Sequence, residues 1–170
     1  MHKVTILIFS CLILNVCACQ NADKLAEENQ VIQDNENTIM TNKEDQAAVL
    51  NVEISGSENN YTFSVTIKSP DTGCEQYADW WEVFDRDNNL IYRRILAHSH
   101  VSEQPFTRSG GPIKISKDQQ IYVRAHMNPL GYGTYVFSGT IENGLQETTL
   151  DKSTAADLEN TDPLPGDCAF

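Results

Sequence analysis

The chain reads as an all-β protein, a two-sheet sandwich of about seven strands flanked by polar segments. Three observations carry that expectation. Between residues 50 and 150, apolar side chains recur at every second position in short runs, the period of a strand with one buried face. Clusters of Gly, Asn and Asp separate the runs at short, regular intervals, as antiparallel hairpins require. No stretch of the same region carries a convincing amphipathic helical pattern.

The elements follow in order. Leu50, Val52 and Ile54 alternate with Asn51 and Glu53, and Tyr61, Phe63, Val65 and Ile67 alternate with Thr62, Ser64 and Thr66. The segment from Gly56 to Asn60 supplies the turn of this first hairpin. Trp80 to Asp85 and Leu90 to Leu96 form a second, joined across Arg86-Asp87-Asn88-Asn89, where Asp and Asn tolerate the left-handed backbone of tight turns. A short strand from Ile113 to Ser116 precedes a Lys117-Asp118 turn. Gln120 to Met127 puts Ile121, Val123, Ala125 and Met127 on one face, and Thr134 to Glu142 closes the set after Gly131-Tyr132-Gly133. This spacing resembles that of immunoglobulin or fibronectin III sandwiches. The Cys…Trp…Cys pattern of a true immunoglobulin domain is absent, and a small open barrel is the architectural alternative. One domain is expected over residues 49–144, with residues 145–170 as an otherwise disordered polar tail that a Cys74–Cys168 disulfide would pin against the loop ahead of Trp80.

Residues 1–18 have the layout of an export signal: His2 and Lys3, an apolar run from Val4 to Leu14, then small residues. Val16-Cys17-Ala18-Cys19 resembles a bacterial lipobox. The resemblance implies that Cys19 becomes the acylated first residue of a mature envelope protein, with the membrane as its partner through the lipid. Acyl chains contribute about 0.8 kcal/mol per buried methylene, so several together hold fast. Gln20 stands where an acidic retention signal would sit, which by the same resemblance points to the outer membrane. Residues 19–48 are rich in Asn, Gln, Asp and Glu and suit a flexible acidic tether. Val16-x-Ala18 also fits ordinary signal cleavage, which would give a secreted or periplasmic soluble protein.

Cysteine arithmetic agrees with the lipobox. Removal of the signal leaves Cys19, Cys74 and Cys168, an odd number for an exported protein. Acylation of Cys19 leaves an even pair, Cys74 and Cys168, free to form a disulfide in an oxidising compartment. Such a bridge spans 94 residues and is worth roughly 4 to 5 kcal/mol as an upper figure. The formal net charge is −12, and segments 19–49 and 151–170 hold 12 acidic against 3 basic residues of it. The acidity therefore sits mostly in the flanks, and with no Lys/Arg stripe a nucleic-acid partner is not expected.

Three constellations are candidates for chemistry. His98 and His100 are two apart, on one face if the segment is a strand, and His126 lies on a strand that could neighbour them. Three imidazoles with an open position would suit zinc, and the pattern is similar to the zinc ligands of α-type carbonic anhydrases, in these three residues alone. Met127 beside His126 admits a copper reading, although consecutive strand residues face opposite ways. The alternative is that the imidazoles hydrogen-bond neighbours such as Ser99, Glu103 or Arg124. Trp80 and Trp81 place one indole in the core, and the other is a candidate for stacking on carbohydrate at the outer face. Arg93, Arg94, Arg108 and Arg124 form the third set. A strand Arg pairs with a cross-strand carboxylate, here Glu82 or Asp85, while Arg108 with Ser109-Gly110-Gly111 could hold an anion on a loop.

No nucleophile motif is present, so an enzyme is expected only if the histidines hold a metal. The run from Cys74 through Tyr77-Ala78-Asp79-Trp80-Trp81 and His98-Ser99-His100 to Arg124-Ala125-His126-Met127 resembles that of uncharacterised exported bacterial proteins. That resemblance implies an exported single domain and no activity. The reading is a lipid-anchored envelope binding or accessory module, with an envelope protein or carbohydrate as its partner. A zinc or copper metalloprotein and a purely structural surface lipoprotein are the alternatives.

Overall fold

The computed structural model describes residues 43–169. The signal, Cys19 and most of the expected tether lie outside them. The described chain is all-β, as the alternation predicts, with nine strands in two sheets. In one sheet β1 (Ala48–Ser57), β2 (Asn60–Lys68) and β5 (Phe106–Ile113) lie in the order β1-β2-β5. The other runs β4 (Leu90–Ile95), β3 (Tyr77–Asp85), β6 (Ile121–Asn128), β8 (Tyr135–Thr140), β9 (Gly144–Thr149), with β7 (Gly131–Tyr132) paired to β6. All pairings are antiparallel. No helix among the described residues is long and apolar enough to cross a membrane.

Both expected hairpins form. Asn59 and Asn88 take positive φ at their turns, the conformation that short polar side chains tolerate. Asp85 secures the second turn by accepting from the backbone N–H groups of Asp87 and Asn89, both at 2.9 Å, and those bonds hold its carboxyl below the usual range against the opposing effect of desolvation. The core lies between the sheets. Phe63, Val65 and Ile67 of β2 and Phe106 and Ile113 of β5 meet Trp81 and Val83 of β3 and Ile121, Val123, Ala125 and Met127 of β6. Each large side chain so buried contributes about 1.5–3 kcal/mol.

Three boundaries differ from the sequence expectation. Arg108-Ser109-Gly110-Gly111 is not a turn before a short Ile113–Ser116 strand but the body of β5. Long-range pairing with β2 decides it, including hydroxyl contacts of 2.8 Å between Ser64 and Ser109 and between Thr66 and Thr107. The glycines are there for space. A Cβ on Gly110 would meet the rings of Tyr92 and Trp81 within 3 Å. We expect Gly110→Val to cost about 1–3 kcal/mol through that overlap, read as a fall in the urea midpoint. An unchanged midpoint would mean that Tyr92 swings aside freely.

Second, Ala47 and Ala48 are fully buried, so the domain begins slightly before residue 49. Third, residues 145–169 are not a disordered tail. Gly144–Thr149 is the edge strand β9, and a 3-10 turn at Ala156–Asn160 follows with Leu158 buried. This segment covers the outer face of the larger sheet, and it is why eight of the nine residues of β3 are buried rather than every second one.

Candidate functional site

Two places gather the chemistry-bearing residues. The first is the outer face of β3, β4 and β6, where Trp80, Glu82, Arg93, Arg124 and His126 all point away from the main core. Glu82 is opposite Arg93 on β4 and Arg124 on β6, so one carboxylate faces two guanidinium groups. Glu82 Oε2 accepts from Arg93 Nη2 at 2.5 Å and Nε at 2.9 Å, and Oε1 accepts from Arg124 Nε at 2.8 Å. The indole N–H of Trp80 donates to the same carboxylate at 3.1 Å. None of the three charged side chains is more than 2% exposed.

The remaining guanidinium donors point outward to tail carbonyls. Arg93 donates to Leu158 and Thr161 at 2.6 Å and to Pro163 at 3.1 Å, and Arg124 to Thr154 at 2.6 Å and Ala155 at 2.9 Å. His126 stacks on Trp80 with centroids 3.6 Å apart, its Nδ1 2.7 Å from Asp79 Oδ1 and its Nε2 3.2 Å from Glu159 Oε1. Cys74 and Cys168 are joined as a disulfide, Cα atoms 5.6 Å apart. This face is a polar latch, with Glu82, Arg93, Arg124 and His126 all paired, that holds the C-terminal segment. It leaves no indole for a sugar: Trp80 is 3% exposed and Trp81 fully buried. The expectation that one of them stacks on carbohydrate at the outer face is corrected by the tail that covers it.

The second place is the loop between β4 and β5. His98 and His100 are not on a strand. The loop is fixed from a distance by Asp71, whose Oδ2 accepts the His100 backbone N–H at 2.8 Å while its Oδ1 accepts from Ser69 Oγ at 2.6 Å and the Ala78 N–H at 3.0 Å. Gln104 ties the loop again, donating to the His100 carbonyl at 3.2 Å and accepting from the Ser69 N–H at 3.0 Å. The His100 ring lies flat on Phe106, centroids 3.8 Å apart, and 4.6 Å from the ring of exposed His98. Arg108 sits over the same Phe106 and makes a two-pronged pair with Glu103 at 2.7 and 3.1 Å.

A cavity of about 110 Å³ opens here, lined by Arg94, Ile95, Leu96, Ala97, His98, His100 and Arg108. Burial, then the charges of Arg108 and His98, hold the His100 imidazole below its ordinary value, so it is neutral near pH 7.

The three-histidine centre expected for zinc or copper is not assembled. His98 and His100 come together, but His126 is taken by Asp79 and Glu159 under the tail. Among the described residues no group of three or more His, Cys, Asp or Glu side chains converges to hold a metal ion. Sequence reasoning missed Asp71 and Phe106, which build the loop site, and Asp79 and Glu159 as partners of His126. Nothing local marks these roles, since the contacts that define them span from 6 positions, between His100 and Phe106, to 47, between Asp79 and His126.

No protein-family model matches the chain, and no solved structure matches it. The chain is similar to a protein of Halomicrobium mukohataei described as "Putative lipoprotein", at 34% identity over 107 residues. The match covers 62% of this chain and 50% of that protein, so the chain spans about half the length of the curated relative it matches.

Proposed function

We propose that the protein is a lipid-anchored accessory module of the cell envelope, tethered through acylated Cys19, which works by binding at the β4–β5 pocket. The observation that carries this reading is the Cys74–Cys168 disulfide. A bond of that kind belongs to an oxidising compartment. It also uses both cysteines of the folded domain, so cleavage before Cys19 leaves a single thiol at the position that the lipobox reserves for acylation. The likeness to a protein described as a lipoprotein supports the same reading. Gln20 in place of an acidic residue favours the outer membrane as the destination.

The test is metabolic labelling of the full-length chain in a bacterium supplied with an alkyne-tagged fatty acid. We expect label on the chain and recovery in the outer-membrane fraction. Cys19→Ser should abolish both, because Cys74 and Cys168 are tied up in the disulfide and Cys11 and Cys17 lie in the signal, outside the lipobox position. A mature chain that begins at Cys19 without added mass, or a variant that still takes up label, overturns the reading.

A further inference from the structure

We propose that the β4–β5 pocket binds a small oxyanion, a carboxylate or phosphate monoester presented at the end of a larger molecule. The proposal rests on the binding reading above and names its ligand class. Four of the seven lining residues are Arg94, His98, His100 and Arg108, and none is a carboxylate. The rest of the wall, Ile95, Leu96 and Ala97, is aliphatic, which lowers the local dielectric and strengthens any charge interaction inside.

His100 is the second observation. Its side chain is 1% exposed, yet neither ring nitrogen has a hydrogen-bond partner. Asp71 Oδ2 stands 3.9 Å from Nδ1, beyond hydrogen-bond range, and that carboxylate is already committed to backbone and hydroxyl donors. A buried imidazole without partners is costly, and a bound oxygen would satisfy it. Arg94 adds an uncommitted charge. Only its Nε is used, donating to the Ser109 carbonyl at 3.2 Å, and among the described residues no carboxylate pairs with it. Arg108 spends two donors on Glu103, which is 57% exposed and displaceable.

Sign and size choose the ligand. A metal ion on the His98–His100 pair would sit beside two guanidinium groups with no third ligand, whereas an anion meets the guanidinium groups of Arg94 and Arg108 and the imidazole of His100. A volume of about 110 Å³ is well below the roughly 300–1,000 Å³ of sites that enclose a drug-sized molecule, so the pocket takes a terminal group. The anion would favour protonated His100, so binding takes up a proton and tightens as pH falls. The gain is about tenfold for each unit by which the ligand raises the His100 value. The charged groups acting on His100 are Arg108, His98, Asp71 and Glu103. His98→Asn removes the other imidazole, so that the proton uptake is read at His100 alone.

The experiment is an NMR titration of the intact chain with propionate and, separately, methyl phosphate, at about pH 7.5 and about pH 6. Saturable shifts of the His98, His100, Arg94 and Arg108 side-chain signals, tighter at the lower pH, are expected. Response to one probe or the other identifies the ligand as carboxylate or phosphate. Arg94→Gln should weaken binding by about tenfold, and Glu103→Gln, which removes the charge that competes with the ligand for Arg108, should tighten it about threefold. Both substitutions are on exposed side chains and leave the fold intact. Equal shifts from chloride, or unchanged affinity in both variants, overturn the proposal. Zinc saturating the histidine pair while the oxyanions do nothing overturns the oxyanion but leaves a binding pocket, and silence towards every probe removes both.

Discussion

Glu82→Gln should lower the stability of the domain by about 3–5 kcal/mol, the cost of leaving a buried ion pair half dismantled. The side chains of Glu82 and Arg93 are fully buried, and that of Arg124 is 2% exposed. The substitution keeps the volume and one acceptor, but two guanidinium cations then share a desolvated site with no countercharge, and the new NH₂ group faces donors. Against a typical total of about 5–15 kcal/mol, such a loss is a large fraction. It would be read as a fall in urea midpoint at constant slope. The exposed Arg108–Glu103 pair serves as the control, since Glu103→Gln should cost under about 1 kcal/mol. A loss as small as that at Glu82 would mean that the tail carbonyls alone satisfy both arginines.

Replacing all three residues by apolar ones should not recover what Glu82→Gln loses. Buried ion pairs can often be exchanged for hydrophobic packing at no cost. Here the arginines also donate to the carbonyls of Thr154, Ala155, Leu158, Thr161 and Pro163. An apolar trio would strand the carbonyls of Thr154, Thr161 and Pro163, while those of Ala155 and Leu158 keep a backbone donor, and each stranded group carries a desolvation penalty of about 1–3 kcal/mol. The charges therefore serve chain capture as much as sheet cohesion.

That capture explains what was and was not legible in the sequence. The hairpins were, because alternation and Asn or Asp at the turns are local signals. That a strand arginine would pair with Glu82 or Asp85 across the hairpin was, and the register of β3 and β4 selects Glu82 for Arg93. The order of residues 145–169 was not, since the segment is held largely through its backbone carbonyls, which have no side-chain signature. Trp80 was misplaced for the same reason, as its outer position is right and its cover comes from elsewhere. Gly110 and Gly111 suggested a turn because only the distant edge of β2 makes them a strand. His98 and His100 stood out by spacing, but their setting depends on Asp71, 29 residues before His100.

Changing both Cys74 and Cys168 to Ser should cost about 2–5 kcal/mol, since the bond closes a 94-residue span of the unfolded chain. The double variant avoids a stray thiol. The effect should reach beyond global stability, because the disulfide anchors the end of the segment that the arginines clasp. Next to it, the Ala169 N–H donates to the Ala97 carbonyl at 2.6 Å, and Ala97 is a wall of the oxyanion pocket. Loosening the terminus thus loosens the pocket as well as the cover over Trp80. Tryptophan emission should shift to the red and become quenchable by iodide, and affinity for propionate or methyl phosphate should fall. Loss of stability with unchanged emission would separate two contributions that the fold combines. The bridge would then act only on the unfolded chain, with the Glu82, Arg93 and Arg124 latch sufficient to keep the segment in place.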